Sequence, residues 1–180
     1  IGEEILAKEG EIIGIFLKKV IPRGLSASET CRLIHQQGGL AIISHPFRDM
    51  IIGHGIGEKP LFDLYQKKLI DAVELYNSWD FVPGIWRKRK KLFNRWQLKS
   101  VLANSDAHFS DGIGVYHNLT WAKDQLKLKK AIRKGELKLV RKIKRPIFWS
   151  LSSITVVKLS IKRLLTKKML KKKITNDRAG

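Results

Sequence analysis

The stretch "SVLANSDAH" (residues 100–108) joins a run of strand-forming residues to a carboxylate and an imidazole. Its apolar residues predict a buried strand over 100–105, and Asp106 and His108 stand two positions apart just beyond it. Residues two apart in an extended chain point to the same side, so both side chains are expected to project from the carboxyl end of this strand. In α/β sheets and barrels, ligands bind at that edge.

The chain up to residue 137 alternates strand-like with helix-like segments. Strands are predicted at residues 11–17, 40–46, 71–77, 100–105 and 114–121, and helices at 26–39, 60–68, 83–99 and 123–137. Ser26 or Ser28 is a candidate N-cap of the first helix. Alternation of helices with continuously apolar strands favours a parallel sheet or barrel that is covered by helices.

Three more residues of metal-ligand type stand at or near predicted strands: Glu4, His45 and Glu74. Carboxylate and imidazole groups together suit Zn²⁺, Mn²⁺, Fe²⁺ or Mg²⁺, so the favoured interpretation is a shared metal site at one edge of the sheet. Structural interpretations remain open beside it. Asp106 could serve in a turn or cap, His45 could be a packed turn histidine, and Glu74 could pair with the basic helix at 83–99.

The positive charge of the chain is concentrated towards its end. Of the net charge of +20, residues 126–180 contribute +17, from 19 Lys and Arg against Glu136 and Asp177. The preceding 125 residues are nearly balanced, at +3. The single cysteine, Cys31, excludes an internal disulfide, and no signal peptide is visible, so we predict a cytoplasmic protein.

Residues 137–180 are predicted to form a basic, partly amphipathic helical tail. Residues 147–157 are uncharged, but these 11 residues are fewer than the roughly 18–20 that span a bilayer. From the end of this segment onward, apolar residues share one helical stripe with lysines around it: Ile154, Val157, Ile161, Leu164 and Leu165. The pattern is typical of a helix at an anionic membrane surface, which would make the protein peripheral at the inner membrane. It also suits nucleic-acid binding, or a helix packed on the domain.

Five stretches carry a family resemblance: "GEEI" (2–5), "EGEIIGIFL" (9–17), "HQQGGLAIISHPF" (35–47), "DAVELYNS" (71–78) and "ANSDAH" (103–108). Residues 1–136 resemble the PHP (polymerase and histidinol phosphatase) family, and within it the TrpH-like metal-dependent phosphoesterases. The resemblance implies a partial, distorted (β/α)7 TIM-like barrel with two or three divalent metals (Zn, Mn, Fe or Mg) at the strand ends. By the same resemblance Glu4 matches the bridging glutamate of the G-x-E motif, His45 the histidine of the HP motif, and Asp106 with His108 the Asp-x-His pair.

The activity that the resemblance implies is hydrolysis of a phosphate ester by a metal-activated water. Asp106 and His108 are the candidate catalytic residues, Asp106 because a spare oxygen could orient the water, and Arg48 is placed to bind phosphate. The expected substrate is a phosphorylated small molecule, a nucleotide or an oligonucleotide. The basic helix at 83–99 would suit such a polyanion, unless its charges are simply a solvated face.

Two features depart from the family pattern. The opening His-x-His motif is not found in this sequence, which predicts a truncated N-terminus. Glu11 stands where many members have a metal-binding histidine, and it is a candidate ligand because a carboxylate can also bind metal. His35, His54 and His117 match no ligand position. With the ligand set incomplete, the alternative is a catalytically incomplete remnant that binds nucleic acid or a membrane through its tail.

Overall fold

The computed structural model describes residues 1–48, 54–80, 84–108 and 110–142. In chain order the elements are β1 (Gly2–Leu6), β2 (Glu11–Ile15), α1 (Ala27–Gln36), β3 (Leu40–Ile43), α2 (Glu58–Gln66), β4 (Ala72–Asn77), α3 (Ile85–Arg95), β5 (Val101–Asn104), β6 (Tyr116–Leu119), α4 (Gln125–Lys134) and β7 (Lys138–Arg141), with a short 3₁₀ turn at Ser110–Gly112. Every strand and helix predicted before residue 137 overlaps an observed element. Ser26 is the N-cap of α1, where its side chain and that of Glu29 form a capping box.

The first five strands form one mixed sheet in the order β1-β2-β3-β4-β5, and β6 and β7 form a separate antiparallel pair. β1 pairs antiparallel with β2, and β2 antiparallel with β3, whereas β3, β4 and β5 run parallel. The predicted (β/α)7 barrel is therefore wrong: the sheet does not close, and the described residues contain four α-helices. Residues 7–10 make a tight turn closed by the Ala7 N–H and the Gly10 carbonyl, and so short a link can join only antiparallel strands.

The strand β1 was absent from the sequence prediction, which placed Glu4 ahead of the first strand; Glu4 lies inside β1. At the opposite edge, β6 joins β5 through a side chain. The Asn118 amide accepts a hydrogen bond from the Ala103 N–H and donates one to the Ala103 carbonyl, both at 2.9 Å. A side-chain amide thus replaces one residue of a strand ladder, and the five-stranded sheet ends there.

The helical prediction for the tail is wrong at its start, because residues 138–141 form β7 and pair with β6. The uncharged segment at 147–157 and the apolar stripe at 154–165 lie outside the described residues. Among the helices that the structure describes, none has the length and apolar character needed to cross a membrane.

The register divides the sheet residues between two faces. Ile5, Ile12, Ile43 and Val73 share one row and pack in the main core with residues of α1, α2 and α3. The neighbouring row, Glu4, Ile13, Ile42 and Ala72, lies on the other face, where Ile42 and Ala72 pack with Ile132 of α4. One face is therefore covered by three helices, and the other combines a smaller apolar cluster with polar groups.

Arg89 anchors α3 to the end of β4. Its side chain is buried, and its two terminal nitrogens bind the two carboxylate oxygens of Asp80 at 2.6 and 2.7 Å. Arg89 Nη1 also donates to the Leu75 carbonyl at 3.2 Å. The basic helix therefore pairs its buried Arg89 with Asp80 rather than with Glu74.

Candidate metal centre

Three side chains from three different strands or strand ends converge on one point. Glu4 lies in β1, Glu11 opens β2, and His45 follows the end of β3 by two residues. His45 Nε2 is 3.3 Å from Glu11 Oε2 and 3.6 Å from Glu4 Oε1, and one ligand atom from each residue lies within 4.8 Å of the others. Because β2 runs antiparallel to both neighbours, its first residue lies beside the carboxyl end of β3.

The chemistry of this donor set fits a divalent cation. Two carboxylates and one imidazole are hard-to-borderline ligands. Within the part of the chain that the structure describes, no lysine or arginine forms an ion pair with Glu4 or Glu11. Two carboxylates held this close without a cationic partner repel each other, and a bound cation would relieve that repulsion. His54 adds a nearby imidazole, with Nδ1 3.4 Å from Glu11 Oε1.

The backbone is strained at two of the predicted site residues. His45 has a φ of 23° and Asp106 a φ of 48°, and each stands two residues beyond the end of a parallel strand. Residues other than glycine rarely adopt positive φ, and such strain costs on the order of 1–3 kcal/mol and concentrates at functional sites.

The turn at His45 is held by close contacts with the loop that carries His54. The His45 carbonyl accepts the Arg48 N–H at 2.9 Å, and Gly55 packs directly against this turn. A Cβ at Gly55 would lie 2.6 Å from the Arg48 backbone N and O and 2.9 Å from the His45 carbonyl oxygen. Glycine is therefore required at position 55 for the loop to approach so closely.

Glu74 lies buried between the His45 turn and the ends of β4 and β5. Its Oε2 accepts the His45 N–H at 2.7 Å and the Asn77 amide at 2.9 Å, and its Oε1 accepts the Asn104 amide at 2.7 Å. Burial raises the pKa of Glu74 above its ordinary value, because desolvation outweighs these three hydrogen bonds. Glu74 thus ties three strand ends together. Asn77 ends a predicted strand and Asn104 lies within another, but neither is a residue of metal-ligand type, so neither was predicted as a site residue.

Asp106 lies in the same network but is paired with an arginine. Its Oδ2 is 2.7 Å from Arg48 Nη1 and 3.2 Å from the Asn77 amide nitrogen. The other terminal nitrogen of Arg48 donates to Asn77 Oδ1, and the Arg48 side chain is only 8% exposed. In this arrangement Arg48 positions Asp106; its binding of phosphate stays a prediction.

His108 stands apart from the Glu4, Glu11 and His45 cluster. Its Nδ1 is 2.9 Å from the Asp106 carbonyl oxygen and 3.9 Å from Asp106 Oδ1, and its side chain is 49% exposed. The imidazole packs edge-on against Trp79, with 4.9 Å between ring centroids. The structure thus gathers Glu4, Glu11 and His45 at one point, and Asp106 and His108 stay candidate ligands.

The two remaining histidines have structural partners. His35 Nε2 is 2.7 Å from Asp71 Oδ2, and His117 Nδ1 is 2.8 Å from the Gly114 carbonyl oxygen. Burial by itself would raise the pKa of Asp71, but hydrogen bonds from His35, Arg133 and the Ala41 N–H hold it below its ordinary value. This cluster links α1, α4 and the start of β4.

A cleft of about 520 Å³ opens on the face of the sheet that carries the site residues. Glu4, His45, Glu74 and Asp106 contribute acidic and imidazole groups to its lining. Most of the remaining lining is apolar and includes Ile13, Ile42, Leu102 and Ile132. The cleft therefore combines polar groups able to hold a cation with an apolar wall.

No protein-family model matches this chain. An uncharacterized protein of Methanocaldococcus jannaschii is 47% identical over 79 residues, which are 44% of this chain and 42% of that relative. A second uncharacterized protein of the same organism is 35% identical over 81 residues, or 43% of this chain and 32% of the relative. The chain therefore matches less than half the length of either relative.

Among solved structures, the chain is similar to a two-domain protein of Bacteroides vulgatus ATCC 8482, described as containing a predicted PHP-like metal-dependent phosphoesterase. The sequence identity is 19% and the TM-score 0.58, over 78% of this chain and 43% of that one. At this identity the likeness concerns the fold.

Proposed function

We propose that this chain is a PHP-like metal-dependent phosphoesterase in which Glu4, Glu11 and His45 hold a divalent cation. The observation that carries the proposal is the convergence of these three ligands, from separate strands, with no lysine or arginine paired to them among the described residues. The likeness in fold to a protein described as containing a predicted phosphoesterase of this kind supports it. The metal would be Zn, Mn, Fe or Mg, with two or three ions in a complete site.

A divalent ion bound there would lower the pKa of water and polarise the phosphoryl oxygens. The chain's own residues would orient the reactants. Asp106 Oδ2 accepts from Arg48 and Asn77, while among the described residues Oδ1 accepts no hydrogen bond and is available to a water. We propose Asp106 and His108 as the catalytic pair and as further ligands. Arg48 would have to exchange Asp106 for the substrate phosphate in order to bind it.

The proposed substrate is a phosphate ester: a nucleotide, an oligonucleotide or a small phosphomonoester. A second proposal is a catalytically incomplete protein that binds nucleic acid or an anionic membrane through residues 137–180. The pairing of Asp106 with Arg48 favours this proposal, because an Asp106 bound to an arginine does not hold a metal. Three ligands then remain, Glu4, Glu11 and His45. Both proposals include a cation at Glu4, Glu11 and His45, and they differ in whether hydrolysis follows.

Calorimetric titration with Mn²⁺ tests the cation site directly. Glu11→Gln removes one charged ligand and keeps the shape of the side chain, so we expect Mn²⁺ binding to weaken by at least about tenfold. Glu58→Gln removes an exposed carboxylate at the start of α2 and is the matched control, with unchanged binding expected. Equal Mn²⁺ affinity in Glu11→Gln and the unaltered chain would contradict the assignment of the ligands.

Release of p-nitrophenol from p-nitrophenyl phosphate in the presence of Mn²⁺ then separates the two proposals. If the chain is a phosphoesterase, it should release p-nitrophenol, and the Asp106→Ala variant should not. Mn²⁺ binding at the cluster with no turnover would favour the catalytically incomplete protein.

A further inference from the structure

The exposed face of α3 carries positive charge that no carboxylate of the described residues pairs with. Five of its cations are exposed, and among the described residues none of them forms an ion pair with an acidic side chain: Arg87, Lys88, Lys90, Lys91 and Arg95. Arg89 differs, because it is buried and bound to Asp80. The helix contains no acidic residue. Uncompensated cations repel one another, so the binding of an anion to this face is electrostatically favourable.

Two arginines at one end of this face are held by aromatic rings. The Arg141 guanidinium lies 4.2 Å from the ring centroid of Tyr76 and 5.1 Å from that of Trp86, and the Arg87 guanidinium lies 5.0 Å from Trp86. Tyr76 and Trp86 in turn contact each other, with 5.7 Å between centroids. β4, α3 and β7 thus each contribute to one cluster in which two guanidinium groups lie over aromatic rings, which we call the arginine clamp (Tyr76, Trp86, Arg87 and Arg141).

Stacking fixes the plane of a guanidinium without using its N–H donors. Within the described residues, no carboxylate pairs with Arg87 or Arg141. Their forked donors therefore remain free to bind an oxyanion, and little side-chain entropy is lost when they do so. A phosphate group, with its several oxygens, matches this bidentate geometry.

The charge of α3 continues from the clamp along the helix. Arg87, Lys91 and Arg95 are spaced by four residues, so they lie along one side of the helix with a rise of about 6 Å between them. A row of this kind suits a chain of phosphates better than a single one. The exposed positions of α3 are cationic, apart from the amide of Asn94. With no exposed apolar side chain to insert, the face suits a nucleic-acid backbone rather than a bilayer.

We infer that the arginine clamp and the row Arg87, Lys91 and Arg95 form a binding surface for the phosphate backbone of a nucleic-acid strand. This surface lies outside the metal cluster, and binding to it requires no hydrolysis. Tyr76 directly precedes Asn77, whose side chain bonds Asp106. A strand held by the clamp therefore contacts the same β4 end that carries the site network.

Fluorescence anisotropy with a fluorescein-labelled oligouridylate and the full 180-residue chain tests this inference. Arg87→Gln with Arg141→Gln should weaken binding about tenfold, and should reduce the slope of log K against log salt by about 1.4, since each phosphate contact on a single strand contributes about 0.7. The matched control replaces two exposed lysines that form no ion pair with described residues, one in α2 and one directly after it: Lys59→Gln with Lys67→Gln. The control should change affinity less than about twofold, because the charge lost is equal but lies off the surface.

A second pair of variants separates the clamp from net charge. Arg87→Lys with Arg141→Lys keeps every charge but loses the stacked planar forks, so binding should still weaken by about threefold. Urea denaturation of each variant confirms that the fold is intact. Equal effects of the glutamine pair and the α2 control, or full affinity in the lysine pair, would overturn the inference. The glutamine pair is also tested for sedimentation with phosphatidylserine vesicles. If that variant no longer sediments with the vesicles but binds oligouridylate as tightly as the unaltered chain, the surface is a membrane surface and the inference is overturned.

Discussion

Replacing Arg89 by methionine tests how strongly α3 is anchored to the sheet. The arginine side chain is 1% exposed, and Asp80, its partner, is 15% exposed. Methionine fills a similar volume, but it removes the hydrogen bonds that Arg89 donates to the Asp80 carboxylate and to the Leu75 carbonyl. Removing one partner of a buried pair costs about 3–5 kcal/mol.

We expect a loss near the lower end of that range, about 3 kcal/mol in the free energy of unfolding, because Asp80 keeps some contact with water. Asp80 Oδ2 also still accepts the Asn77 N–H, at 3.2 Å. Typical domains are stable by about 5–15 kcal/mol, so this loss is a large fraction of the total. Since Trp86 and Arg87 lie on the same helix, weaker anchoring should also weaken oligouridylate binding.

Equilibrium denaturation in urea measures the effect, with the midpoint and the slope fitted separately. Lys90→Met is the control, because Lys90 neighbours Arg89 but is exposed, and its change should stay within about 0.5 kcal/mol. The double variant Arg89→Met with Asp80→Asn removes both charges, and should recover part of the loss through a coupling of about 1–3 kcal/mol. If Arg89→Met unfolds at the same urea concentration as Lys90→Met, the pair does not anchor the helix and the reasoning fails.

Three further predictions concern other parts of the fold. Gly55→Ala should lower the free energy of unfolding by about 1–3 kcal/mol, because the added methyl group would collide with the backbone of the His45 turn. Gly2→Ala in β1 is the control, since its methyl group would make only ordinary contacts, and the urea midpoints of the two variants are compared. The pKa of Asp71 is lower in the folded chain than in the unfolded chain, so ionised Asp71 stabilises the fold. This contribution to the free energy of unfolding is complete above the unfolded pKa of about 3.9 and is lost as the pH falls through the folded pKa. Asp71→Asn should therefore destabilise the chain at pH 7 and flatten its loss of stability in acid; an equal acid response in both chains would contradict this. Burial raises the pKa of Cys31 to about 12, so its thiol should react with iodoacetamide at neutral pH only after urea unfolds the chain, and rapid labelling of the folded chain would refute its burial.

Local patterns in the sequence were sufficient to find most elements. Alternating and continuous apolar runs located β2, β3, β4 and β5, and the capping box starting at Ser26 marks where α1 begins. These signals depend on neighbours within one turn or one strand, so they are readable from residues close in the chain. The strand β1 escaped because two adjacent glutamates interrupt its apolar pattern.

The candidate site divides in the same way. Residue type and resemblance singled out Glu4, Glu11 and His45 as candidate ligands and predicted a shared metal site at the sheet edge, but only the tertiary structure decided that these three candidates meet at one point. For Glu74 the sequence left open a place in the metal site or a pairing with the basic helix, whereas the structure ties it to His45, Asn77 and Asn104. The contacts of Glu74 with His45 and Asn104 join residues 29 and 30 positions apart, and no local pattern encodes them.

The sequence alone determined most of the segments that become strands or helices, β1 and β7 excepted, because short-range propensity and hydrophobic periodicity control them. It also showed which ligand-type residues stand near strand ends. Only the tertiary structure decided the antiparallel direction of β2, the open sheet and the pairing of Arg48 with Asp106. A strand's period of two sets which face each side chain takes, but leaves open its partner strand and direction. Those depend on hydrogen bonds between distant segments, and they bring the first residue of β2 to the end of β3.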